Sequence, residues 1–213
     1  MSDEQHLELQ AIVSKSPLLS SVLGQWEKIA LPDSWLVAGA IAQTVWNDVF
    51  GFPPAYGIQD VDIVYFDPDD LSEDSEAAHS ARIRTAFSGL PVWIDVKNQA
   101  RVHCWYEAKF GYSIDPYTST AEAITTFPTT AAAVGLRPVH PHLALCAPYG
   151  LSDLLSATVR PNKKQITREI YEKKIARWIK LWPELRIVGW DQELWREEFS
   201  DGLPDFCGRP AVP

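Results

Sequence analysis

The sequence predicts an α/β (α+β) protein, with a small mixed β-sheet, flanking helices and a mostly helical C-terminal portion. Three observations carry this. Short runs with strand character at residues 35–38, 60–67 and 91–97 alternate with stretches of helical spacing. The first run passes through Gly39-Ala40 directly into a helical pattern carried by Ile41, Val45, Trp46 and Val49. Beyond residue 119 helical periodicity dominates, with Ile166, Ile170, Ile175, Trp178, Ile179 and Trp182 forming one stripe. The expected organisation is an N-terminal helical element over residues 1–30, a core over 31–115 and the C-terminal portion over 116–213.

The 213 residues are 46% hydrophobic and include nine Trp, enough for a sizeable core, which excludes a disordered chain. With 19 basic and 28 acidic residues the net charge is −9, so a whole-surface grip on nucleic acid or anionic lipid is excluded and any phosphate-binding surface must be local. Cys104, Cys146 and Cys207 are too scattered for a zinc site or a disulfide scaffold, which points to a reduced, cytoplasmic protein. The acidic N-terminus lacks the form of a signal peptide, and no apolar run approaches the roughly 18 residues of a membrane span, so no membrane partner is expected.

Ser16 followed by Pro17 starts a helix whose apolar stripe is Leu19, Val22, Leu23, Trp26 and Ile29. The helix after Gly39 should end near Gly51, where Pro53 and Pro54 mark a loop. On the second strand Val61, Ile63 and Tyr65 share one side, and Asp60, Asp62 and Val64 the other. Ser72 caps a helix running to about Phe87, and Asp95 is an isolated charge in the third strand. Residues 99–110 are helical and close at Gly111, while Ser119 and Glu122 form a capping box. Charge is segregated: residues 60–76 hold eight acids and no base, whereas residues 163–180 hold seven bases and two acids.

Two carboxylates two positions apart on a strand point the same way, and Asp95 from a neighbouring strand would complete a patch of anionic oxygen that cannot stay ionised without a counter-charge. A divalent cation such as Mg²⁺ (or Mn²⁺) resolves that repulsion, because it prefers oxygen ligands and is commonly shared with substrate phosphates. The turn at Gly39-Ala40 offers the complementary feature, a helix start whose free N–H groups and dipole attract anions. Cradle, paired aspartates and lone strand aspartate follow one another in that order.

These features resemble the DNA polymerase beta type nucleotidyltransferase superfamily, whose signature is a small-residue turn, then Asp-x-Asp, then a further Asp. More narrowly, Gly39-Ala-Ile-Ala-Gln-Thr-Val-Trp-Asn47, Asp60-Val-Asp-Ile-Val-Tyr-Phe-Asp67 and Asp95-Val-Lys-Asn-Gln-Ala-Arg-Val-His-Cys-Trp-Tyr-Glu107 are similar to a bacterial and fungal family of nucleotidyltransferase-like proteins. The segments Val134-Gly-Leu-Arg137 and Ala147-Pro-Tyr-Gly-Leu-Ser-Asp153 extend the likeness over roughly residues 31 to 185. The resemblance implies a nucleotidyltransferase core that moves a nucleoside monophosphate from a nucleoside triphosphate to an unknown acceptor, an RNA or a small molecule. Asp60 and Asp62 would hold both metal ions and Asp95 the one that activates the acceptor, with Gly39, Ala40 and Arg101 at the nucleotide.

Two departures matter. Ala40 stands where the superfamily usually has Gly or Ser, so a hydroxyl contact to the triphosphate is missing. The long spacer to Asp60 makes residues 51–57 a candidate wall of the acceptor or base pocket. Both departures favour the rival account, a nucleotidyltransferase-like binding module that does not turn over. Asp95 could instead pair structurally with Lys97 or Arg101, Arg101 and His103 could be purely structural, and the basic helix could be a solvated face or meet a polyanion such as RNA. Tyr65, Trp105 and Trp178 read as core.

Overall fold

The computed structural model describes residues 3–192. Helices α1 (Asp3–Lys15) and α2 (Pro17–Leu23) are separated at Ser16, whose hydroxyl accepts from the Leu19 N–H while Pro17 occupies the first turn. Strand β1 (Trp35–Val37) leads into α3 (Gly39–Phe50), which Gly51 ends in the left-handed conformation. Strand β2 (Asp60–Tyr65), helix α4 (Glu73–Ala86) and strand β3 (Trp93–Asn98) form a parallel crossover unit, with Ser72 capping α4 as its sequence predicts. A short turn leads to α5 (Val102–Phe110), closed by Gly111, and Ser119 caps α6 (Thr120–Ile124).

Strands β4 (Gly135–Val139) and β5 (His142–Cys146) follow, then α7 (Ser152–Leu155), β6 (Thr158–Val159), α8 (Arg168–Trp178) and β7 (Arg186–Ile187). The main sheet has the order β3-β2-β1-β4-β5, with β2 and β3 parallel and the other pairs antiparallel. Strands β6 and β7 make a separate parallel pair.

The C-terminal portion is therefore less helical than its periodicity predicts, because β4 and β5 lie beyond residue 115 and complete the sheet. Pro138 and Pro141 interrupt this hairpin and read in sequence as loop punctuation. Pairing of Leu36 with Leu136, and of Leu136 with Leu145, supplies what local signals do not.

One face of the sheet, bearing Leu36, Val61, Ile63, Ile94, Val96 and Leu136, packs into the main core with the N-terminal helices and α3. The opposite face carries a smaller cluster around Trp35, Val37, Val64 and Ile124, which Arg137 extends by covering Trp35 and pairing with Asp33 at 2.9 Å. Helix α8 docks on α3 through Trp178, whose ring meets Trp46 edge-on at 5.0 Å. Just after α8, the Trp182 indole donates to Asn47 Oδ1 at 2.8 Å. The Asn47 amide in turn donates to the carbonyls of Pro54 and Tyr56, pinning the loop to the end of α3. Gly57 completes that contact at φ 72°, where a Cβ would come within 2.7 Å of the Trp182 ring.

Candidate active site

The site begins where β1 turns into α3. Ala38 takes φ 58°, ψ −121°, a conformation rarely adopted by residues other than glycine, and its N–H donates to Val134 O at 3.0 Å. Among the described residues no side chain caps the first turn of α3, which leaves its leading N–H groups open to an anion. Gly39 lies at the centre: a Cβ there would stand 3.2 Å from Gln43 Nε2 and 3.9 Å from Asp62 Oδ2. The glycine thus leaves an approach to the backbone between a carboxamide and a carboxylate. Ala40 is fully buried with its side chain in the main core, so this position contributes only its N–H. Gln43, one turn on and 4% exposed, has an Oε1 in the interior with no hydrogen-bond partner among the described residues.

Strand parity places the three aspartates together. Ile94 and Val96 face the main core with Val61 and Ile63, so Asp95 shares the opposite face with Asp60 and Asp62. Asp62 and Asp95 are register partners on adjacent parallel strands, and Val37, at the end of β1, pairs with Asp62 on its other side. Burial above all, then the neighbouring Asp60 and Asp95 carboxylates, raises the pKa of Asp62 from 3.8 to about 7, against the opposing pull of Lys174 and Arg177. A set of hard oxygen donors under mutual repulsion has the chemistry that accepts a hard divalent cation. The three groups share a face without converging on one point: among the described residues no cluster of three His, Cys, Asp or Glu side chains is positioned to hold an ion. Asp95 is turned toward Arg84, 3.6 Å away, and that guanidinium also donates to Ile94 O and covers Trp93.

A cavity of about 280 Å³ opens from this point. Val37, Ala38 and Asp62 form part of its lining, Trp105, Tyr106 and Phe110 of α5 contribute an aromatic wall, and Phe127 and Ile170 enclose it further. The wall at residues 125–127 is braced from behind, where Asn162 Nδ2 donates to Thr125 O and Phe127 O at 2.8 Å each. From Ile170 the next turn of α8 carries Lys174, half-buried with its ammonium 5.1 Å from the Trp178 ring centre. Burial pushes the Lys174 pKa down, while Asp62 and Asp60 pull it up.

Of the residues the sequence singles out, Gly39, Asp60, Asp62 and Asp95 gather at this face, and Arg101 does not. Its guanidinium is buried, 3.0 Å from Glu76 Oε1, and donates to Leu71 O. Arg101 is thus held by α4 and the segment before it, and it is not among the residues that line the cavity described above. Arg84, not Lys97 or Arg101, is the partner of Asp95. His103 is absent from the cavity lining, and its buried Nδ1 has no hydrogen-bond partner among the described residues. Residues 51–57 do not line the cavity either. Trp105 lines it, whereas Tyr65 and Trp178 are core. Sequence reasoning misses Gln43, Lys174 and the aromatic wall; the spacing of Gln43 one turn after Gly39 was the available signal.

Comparison with known proteins agrees with this geometry. The family model described as nucleotidyltransferase matches residues 24–187. A structure solved by NMR, described as revealing a CCA-adding enzyme head domain, superposes with a TM-score of 0.71 at 27% sequence identity, covering 86% of this chain and 95% of that one. No curated protein sequence is significantly similar. With the small-residue turn, the Asp-x-Asp strand and the third aspartate on one sheet face, and most of its length matched by the family model, the chain belongs to the nucleotidyltransferase family.

Proposed function

We propose that the protein transfers a nucleoside monophosphate from a nucleoside triphosphate to a hydroxyl or phosphate acceptor, releasing pyrophosphate, with Mg²⁺ or Mn²⁺ held by Asp60 and Asp62 and joined by Asp95. The observation that carries this is the placement of Asp62 Oδ2 beside Gly39, which brings a carboxylate and an uncapped helix start to one point. The N–H groups of the first turn of α3 receive the phosphates, and Gln43 Nε2 adds a side-chain donor beside them. Lys174 and Arg177 offset the negative charge of Asp62. The aromatic cavity takes the nucleoside, sheltered from water by α5 and Phe127. A bound divalent cation supplies charge neutralisation for in-line displacement, the main requirement of phosphoryl transfer.

Exposed Lys173, Arg177 and Lys180 along α8 and just beyond it favour a polyanionic acceptor such as an RNA end. The NMR structure described as a CCA-adding enzyme head domain supports the same choice. The test is incubation with each labelled nucleoside triphosphate and Mg²⁺ or Mn²⁺, with and without total RNA. Pyrophosphate release with label on RNA, lost in Asp62→Asn, supports the proposal. Nucleotide binding without turnover under every condition supports a binding module instead.

A further inference from the structure

Strands β2 and β3 run parallel and in register, so the face that carries the aspartates has a definite order. Asp60 pairs with Trp93, Asp62 with Asp95, and Val64 with Lys97. The cavity assigned to the nucleoside takes in Asp62 and extends past Val64, Lys97 and Gln99, toward the C-terminal ends of the two strands. Trp93 is not in its lining and stands beyond the aspartates in the other direction, about 7 Å along the strand from Asp95. The helix start assigned to the phosphates follows β1, which flanks β2 on one side, while β3 flanks it on the other and is an edge of the sheet. In-line displacement puts the attacking group opposite the leaving pyrophosphate. The acceptor therefore approaches Asp62 from the β3 side, and with the nucleoside at the C-terminal ends of the strands, the corner left for it is the one at Trp93.

Trp93 is 56% exposed and, among the described residues, the one aromatic side chain on the open surface. A lone exposed apolar group is ordinary; its neighbour is not. Arg84 comes from α4, whose Ile83 and Phe87 lie in the main core, and reaches the aspartate face with its Cζ 3.8 Å from the centre of the Trp93 ring. Its Nε donates to Ile94 O at 2.8 Å, which fixes the guanidinium at the sheet edge. Its Nη2 stands 3.6 Å from Asp95 Oδ1, beyond hydrogen-bond length, so the terminal nitrogens can still donate to a ligand. An open indole offers a stacking surface that any base can use, and a guanidinium held by one nitrogen offers the others to a phosphate.

We propose that Trp93 and Arg84 seat the 3′ end of a single-stranded RNA acceptor, Trp93 stacking on the terminal base and Arg84 binding an adjoining phosphate. The 3′ end carries free hydroxyls, and a base on Trp93 leaves them beside Asp95, the aspartate next along the same strand face. This rests on the reading of the protein as a transferase with an RNA acceptor. Donor and acceptor then meet at the aspartates from opposite ends of β2 and β3.

The test is fluorescence anisotropy of the full chain, with Mg²⁺, against a short single-stranded RNA labelled at its 5′ end and against the same RNA lacking its 3′-terminal base. Trp93→Ala should bind the complete RNA about tenfold more weakly, and Trp93→Phe, which keeps a ring, within about threefold of the parent. Removing the base should cost the parent about tenfold and Trp93→Ala nothing further, because the two changes delete one contact. Arg84→Gln should lower the slope of log affinity against log salt by about 0.7, the share of one phosphate on a single strand, and Trp93→Ala should leave that slope unchanged. A merely structural Trp93 would weaken both RNAs equally, and that result, or unchanged binding in Trp93→Ala, overturns the inference. If the parent binds no RNA but does bind an α,β-methylene nucleoside triphosphate in calorimetry, the RNA seat is overturned while transfer to a small-molecule or protein acceptor stands. If it binds neither, the transferase proposal falls with it.

Discussion

Asp62→Asn should abolish transfer and, in the absence of metal, make the protein more stable. The pKa of Asp62 is raised from 3.8 to about 7, by burial first and then by Asp60 and Asp95. A carboxyl whose pKa is higher in the folded than in the unfolded state keeps its proton longer when folded. The folded chain therefore binds more protons between these two values, and stability falls as pH rises through that window. A gap of about 3 units, at about 1.4 kcal/mol per unit, gives an upper limit of about 4 kcal/mol near pH 8. Solvent at the rim of the partly buried side chain reduces this to about 2 to 4 kcal/mol. Asparagine has the shape of the protonated acid and no charge to bury, so the variant should avoid this cost. The assay is urea unfolding followed by tryptophan fluorescence in a chelating buffer, from about pH 4.5 to about pH 8.5. The two proteins should converge at the acid end and separate above neutrality, and Mn²⁺ should stabilise the parent alone. A variant no more stable than its parent near pH 8, or a difference that does not change with pH, would refute the account of Asp62 as a strained anion awaiting a counter-charge.

Asp95→Asn should weaken Mn²⁺ binding by about tenfold or more in calorimetry if the register pair Asp62 and Asp95 forms one metal site; unchanged binding would mean two separate carboxylates. Glu76→Ala should cost about 3 to 5 kcal/mol in urea unfolding, because it leaves buried Arg101 without its nearest carboxylate and the Asn98 N–H without its acceptor. A loss below about 1 kcal/mol would show that solvent or Glu73 replaces the pair. Gly57→Ala should lose about 2 to 4 kcal/mol, combining positive-φ strain with a Cβ placed 2.7 Å from the Trp182 ring, and a thermal melt unchanged within error would argue against that packing.

What was legible in the sequence is what local chemistry decides. Ser16, Ser72 and Ser119 cap the helices that follow them, and Gly51 and Gly111 end theirs with positive φ, because each device acts within one turn. The shared face of Asp60 and Asp62 follows from the period of a strand alone. The hairpin of β4 and β5 was hidden because its stability comes from pairing with β1, about a hundred residues upstream, and its prolines are local signals to the contrary. The partner of Arg101 was hidden for a related reason. The position of Arg101 after the third aspartate says nothing about Glu76, 25 residues earlier, which α4 brings within 3.0 Å.

The same logic explains why the basic segment could not be resolved into its working members. Seven bases lie between residues 163 and 180, and nothing in their order distinguishes Lys174. What selects it is the docking of α8 on α3, through Trp178 against Trp46 and, just beyond the helix, Trp182 bonded to Asn47. Helix α3 also presents its N-terminus to Asp62, so one helix sets both the phosphate cradle and the approach of the opposing cation. The net charge of −9 therefore averages two features that the fold brings together. The acid-rich segment begins with the paired aspartates, the basic segment supplies Lys174 and Arg177 across from them, and the tryptophan contacts decide which of the seven bases meets the acids.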